Sequence, residues 1–159
     1  MTPRREFVLA VVACAAGAGL ALFGATRTWV VETIGRPAPL PPARIAHTGG
    51  DLLPWLPALA VVGLAGSGAL VATRGAGRRV VAVLSLLVGL GLVAGGGYGI
   101  SRSPWALLCL GGGLAVAAAG VLAWRGRNWP VMGARYERSR HPSGGDMWDA
   151  IDRGEDPTV

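Results

Sequence analysis

Charge is scarce in this chain. Only 15% of its 159 residues are charged, against about 25% in an ordinary soluble domain, too few to coat a water-facing globule. With 52% hydrophobic residues, a membrane protein is the default reading. Lysine is absent, and all 15 basic residues are arginine. Cysteine and histidine number two each, and their positions exclude the chemistry they would bring. Cys14 and Cys109 fall in different apolar runs at different expected depths, so neither a disulfide nor a thiolate site follows. His47 and His141 fall on opposite sides of the expected membrane. No His, Asp and Glu cluster has ligand spacing, and no serine has a base partner. No metal or cofactor is expected, and the chain is not read as an enzyme.

What is present is four apolar runs, at Phe7 to Phe23, Leu52 to Thr73, Val80 to Ile100 and Trp105 to Trp124, none containing Asp, Glu, Lys, Arg or His. About 20 such residues cross a bilayer as helix, because no backbone polar group can go unpaired in hydrocarbon. The fold class is therefore an all-α integral membrane protein, a four-helix transmembrane bundle with a short cytoplasmic C-terminal tail helix. Residues 1–6 form a cytoplasmic N-terminus, residues 7–124 the transmembrane domain, and residues 125–159 the tail. Pro3-Arg4-Arg5-Glu6-Phe7-Val8 resembles a twin-arginine signal and Val11-Val12-Ala13-Cys14 a lipoprotein box. The apolar run continues past Cys14 and lacks a good small-x-small site before Arg27, so an uncleaved first helix is expected.

Arginine placement sets the orientation, since positive charge in short flanking segments stays cytoplasmic. Arg4 and Arg5 precede the first span, Arg74, Arg78 and Arg79 sit between the second and third, and Arg125 and Arg127 follow the fourth. Counting the tail, eleven arginines lie on that side and four on the other. Both termini are expected in the cytoplasm of a multi-pass plasma-membrane protein. The net charge of +6 then reads as a topology and lipid signal, and no nucleic-acid partner is expected. The outer loop 28–51 carries Pro37, Pro39, Pro41 and Pro42 and is expected to be extended or polyproline-like. Trp29, Trp55, Tyr98 and Trp105 near the outer boundary, with Trp124 and Trp129 near the inner one, read as aromatic belts. Thr48-Gly49-Gly50-Asp51 reads as a turn and helix cap ahead of Pro54.

Small residues recur at helical spacing. Gly91, Gly95 and Gly99 form the clearest ladder, Gly17 belongs to another with Ala13, Ala21 and Ala25, and Gly63 pairs with Ser67. Such spacing lets helix backbones approach closely in lipid. Gly89-x-Gly91-x-x-Ala94 matches a dinucleotide fingerprint formally, but it lies inside a span with no strand before it. Ser67 and Ser85 are the polar groups well inside the spans, which argues against ion-coupled transport.

The tail holds six of the nine acidic residues. Asp146 is placed to cap a short helix ending near Gly154, with Met147, Trp148 and Ile151 on one face. Tyr136, Glu137, Trp148, Asp149, Ile151, Asp152, Arg153, Glu155 and Asp156 are the candidate partner-binding residues, Trp148 and Ile151 as anchors and the carboxylates for selectivity. Folding of this tail back onto the Arg74 to Arg79 segment is the alternative. The remaining expected partners are the lipid bilayer, a membrane or cytoplasmic protein reached through the tail and, as an open alternative, further copies of the chain in a homo-oligomer.

Arg127-Asn128-Trp129-Pro130-Val131-Met132-Gly133-x-Arg135-Tyr136-Glu137, followed by Trp148-Asp149-Ala150-Ile151-Asp152-Arg153-Gly154-Glu155-Asp156-Pro157-Thr158, resembles the tryptophan biosynthesis-associated membrane proteins of actinobacteria. Ala72-Thr73-Arg74-Gly75 and Thr48-Gly49 fit the same pattern. The resemblance implies a four-span membrane protein encoded beside tryptophan biosynthesis genes and implies no activity. The function expected is a non-enzymatic scaffold presenting the tail, with transport of tryptophan, indole or a related small apolar solute as the alternative.

Overall fold

The computed structural model describes residues 3–126. Four helices in it are long and apolar enough to cross a membrane: α1 (Pro3–Ala25), α3 (Trp55–Ala72), α4 (Gly75–Gly99) and α5 (Ala106–Arg125). At 1.5 Å per residue, their 18 to 25 residues extend about 27 to 38 Å, which brackets the ~30 Å hydrocarbon layer. Pro3 opens α1, where a missing N–H costs nothing. A one-turn helix, α2 (Gly49–Leu52), precedes α3, and Leu53 and Pro54 separate the two.

The helices form a ring in which α1 and α4 each pack against both α3 and α5. At its centre a Cβ added to Gly63 of α3 would stand 3.1 Å from Ala18 of α1, 3.6 Å from Val88 of α4 and 3.9 Å from Val116 of α5. On α1 the size gradient runs opposite to that of a soluble bundle. Ala10, Cys14, Ala18, Ala21 and Ala25 are the buried face of α1, while Val8, Leu9, Val12 and Leu20 point outward. Lipid tails are as apolar as leucine, so there is no hydrophobic drive to turn large side chains inward, and on this helix packing is won by small residues that bring backbones together.

Two connections depart from the expectations set by the sequence. The outer loop is a β-hairpin, β1 (Thr28–Ile34) paired antiparallel with β2 (Ala43–Thr48), in place of a polyproline-like segment. Its four prolines fall in the connecting residues 35–42, where the Ala38–Pro39 peptide is cis, and none enters a ladder to which proline cannot donate. The β-branched flanks Thr28-Trp29-Val30-Val31 and Arg44-Ile45 were free to pair. At the other end, α4 begins at Gly75, so Arg78 and Arg79 belong to its first turns rather than to a loop between spans. Only Thr73 and Arg74 join α3 to α4. Gly75 takes a φ of +54° to reverse the chain in so short a connection, a conformation costing an L side chain roughly 1–2 kcal/mol.

Candidate functional site

Two antiparallel seams hold α5. On α4, Ala82, Gly89 and Gly96 recur every seven residues, and on α5 so do Ala106, Gly113 and Gly120, all six buried. A Cβ on Gly120 would come within 2.7 Å of the Ala82 carbonyl oxygen, one on Gly113 within 2.8 Å of the Gly89 carbonyl, and one on Gly96 within 2.9 Å of the Ala106 carbonyl. A seven-residue repeat keeps one contact line facing its partner along a left-handed crossing. On the other side of α5, Gly17 of α1 faces the carbonyl of Gly112 and Gly24 that of Trp105, at 2.6 and 2.8 Å from the added Cβ. Sulfur joins this seam, as the Cys109 thiol donates to the Ala21 carbonyl at 3.3 Å, while the Cys14 thiol ties α1 to α3 by donating to the Gly63 carbonyl at 3.5 Å.

The Gly91, Gly95 and Gly99 ladder serves another purpose. Its glycines receive side chains, Leu59 on Gly91, Leu56 and Trp55 on Gly95 and the Trp29 ring on Gly99. The backbone contacts belong to Gly89 and Gly96, on a different face of α4. A four-residue spacing had pointed to one face, and the seven-residue spacing of Gly89 and Gly96 was the signal for the other.

Trp29 also leaves its expected place. It is 3% exposed and lies in the core, whereas Trp55, Tyr98, Trp105 and Trp124 are exposed at the helix ends. The ladder pairs Thr28 with Thr48 and Val30 with His47, so Trp29 is the extra residue of a bulge. Bulges re-aim side chains, and this one turns the indole into the bundle. Its N–H donates to the Gly24 carbonyl at 3.0 Å, and its ring covers Gly49 and Gly99.

The same end carries a helix cap and several charged contacts. Thr48 caps α2 in a reciprocal box: the Asp51 N–H donates to the Thr48 hydroxyl at 3.2 Å, and the Thr48 N–H to the Asp51 carboxylate at 2.7 Å. That backbone bond, then the Thr48 hydroxyl, holds the Asp51 carboxyl below its usual pKa, since both favour the charged form. His47 stands 3.6 Å from Glu32 across the hairpin. Arg27 lies over the Phe23 ring at 4.0 Å, and Phe23 meets Trp105 edge to face at 6.2 Å. Arg102 lies over Tyr98 at 4.1 Å and donates to its carbonyl.

At the opposite end Arg4, Arg5, Arg74, Arg79 and Arg125 are exposed, while Arg78 is only 8% exposed, with its guanidinium 5.6 Å from the Phe7 ring centre. Arg78 and Arg79 border a cavity of about 270 Å³ that is lined on the α5 side by Ala123, Trp124 and Gly126. Inside the bundle, Ser67 donates to the Leu64 carbonyl at 2.6 Å, and Ser85 is buried. The Arg127, Tyr136, Glu137, Trp148, Asp149, Ile151, Asp152, Arg153, Glu155 and Asp156 assignments lie outside the described residues.

The comparisons fit this architecture. A family model described as tryptophan-associated transmembrane protein matches residues 11–104 and 95–158, which takes in most of α1, the other three long helices, the hairpin and the tail motifs. No curated protein and no solved structure matches the chain. With nearly the whole length matched and four membrane-spanning helices in the fold, this chain belongs to the tryptophan-associated transmembrane protein family.

Proposed function

We propose that this multi-pass protein is a non-enzymatic scaffold that holds its outer hairpin and its tail motif in fixed relation to the bilayer. The observation carrying this reading is the double seam of α5, whose backbone lies against both α1 and α4. A helix packed backbone to backbone on two sides suits a rigid mount. The arginine asymmetry supports a plasma-membrane orientation with both termini, and hence the tail, in the cytoplasm. Trp148 and Ile151 are the anchors for a protein partner, with Asp149, Asp152, Glu155 and Asp156 giving charge selectivity.

The test is crosslinking of the full-length protein in its native membrane, followed by capture with and without Trp148→Ala. Removing a hot-spot aromatic costs ~2 kcal/mol or more, so the tail-dependent crosslink should fall at least about thirtyfold. Recovery of identical partners by both forms rejects the scaffold role of the tail. Export of tryptophan or indole, the rival reading, would need a path between protomers because the seams occupy the space between helices. Lower efflux from cells lacking the protein would favour it.

A further inference from the structure

A second cavity adjoins the arginine-bordered one at Trp124 and lies one turn farther along the outer face of α4 and α5, toward mid-membrane. It measures about 290 Å³ and is lined by Ala82, Val83, Leu86, Gly120, Val121 and Trp124, apolar side chains throughout. Trp124 borders both cavities, and the other walls are related by one helical turn: Arg78 to Ala82, Arg79 to Val83, and Trp124 back to Gly120. One crevice between α4 and α5 thus changes from cationic to hydrocarbon within about 5–6 Å along the helix axis. Its cationic end includes Gly75 and Ala76, whose N–H groups precede the first intrahelical bonds and carry the positive end of the helix dipole. The groove exists because the seam residues Ala82 and Gly120 leave its floor low. The two volumes together fall within the roughly 300–1,000 Å³ of ordinary ligand sites.

We propose that this crevice binds one anionic phospholipid, with its phosphate against the exposed Arg79 and the start of α4 and an acyl chain in the groove over Ala82 and Gly120. An inorganic anion would use only the upper part and a hydrocarbon only the lower. The ordered change of polarity along the membrane normal suits a molecule that has both. Trp124 spans the boundary, its ring flanking the chain and its edge at headgroup level.

The test is native mass spectrometry of the full-length protein in mild detergent, titrated with phosphatidylglycerol, with phosphatidylcholine and with inorganic phosphate as competitor. Arg79→Gln removes a cation from the exposed wall, and Val83→Trp fills the groove from its lipid-facing side, so both variants keep the seams. Wild type should retain a single phosphatidylglycerol in preference to phosphatidylcholine. Each variant should weaken that retention about tenfold or more, the size of one charge-assisted hydrogen bond for the arginine. Several interchangeable lipids, equal retention of phosphatidylcholine, displacement by inorganic phosphate, or a dimer excluding the lipid would each overturn the proposal. So would Val83→Trp with unchanged binding, since the anion would then be held without its chain.

Discussion

Adding one methyl group at Gly113 should separate α5 from α4, while adding it two residues earlier should do no harm. A Cβ at Gly113 would stand 2.7 Å from the Val93 nitrogen and 2.8 Å from both the Gly89 carbonyl oxygen and the Leu92 Cβ. Ordinary contact lies near 3.5–4.0 Å, so the helices must part by roughly 1 Å, and such a gap forfeits a quarter to a half of each ~0.1–0.2 kcal/mol atom pair. Over the tens of pairs along that turn, Gly113→Ala costs about 1–3 kcal/mol, the usual range for overpacking. At Gly111 nothing lies within 4 Å of an added Cβ, and Gly111→Ala gains up to ~1 kcal/mol of helix propensity. The assay is unfolding of the full-length protein in mixed micelles with increasing dodecyl sulfate, followed by circular dichroism. The two variants should shift the midpoint in opposite directions. Equal shifts would refute the seam as the source of stability.

Two further outcomes concern the outer end. Trp29→Ala should cost ~3–5 kcal/mol, and Trp29→Phe about 0.5–1.5 kcal/mol, because the indole bond to the Gly24 carbonyl is lost while the Arg27 N–H still donates to that carbonyl; hydrogen exchange at hairpin amides such as Val31 should accelerate in both, and unchanged exchange would show that the indole does not anchor the hairpin. Because the Asp51 carboxyl is held below its usual pKa, its contribution to the cap is fully present above the ordinary carboxylate range and is lost as pH falls through the lowered folded value. Amide exchange over Gly49–Leu52 should therefore stay slow from neutral pH to about pH 4, after correction for intrinsic rates, and rise below it. Asp51→Asn should show the fast rate throughout, and an acid response unchanged in Asp51→Asn would assign it elsewhere.

The four spans were legible because hydrocarbon imposes one demand on every residue, an internal backbone partner, and uncharged runs of the required length answer it visibly. The hairpin was not, because the prolines of residues 37–42 point to an extended outer loop while they govern only its connection. Trp29 was misplaced for a related reason: its distance along the chain from the end of α1 puts it at the interface, and only the bulge, a property of strand register, sends it inward. Glycine content announced close packing, but both four- and seven-residue spacings are present in α4, and choosing between them requires knowing which face α5 takes. The burial of Arg78 was hidden for the same reason, since its position in α4 rather than in a loop depends on the two-residue reversal at Gly75.

The double seam of α5 also constrains biogenesis. Within the bundle α1 is synthesised before α5 yet packs most extensively against it, so until α5 emerges the glycine face of α1 and that of α4 have only lipid, or a chaperoning insertase, to cover them. Completion of this bundle is a closing step, in which α5 is received between two surfaces made earlier.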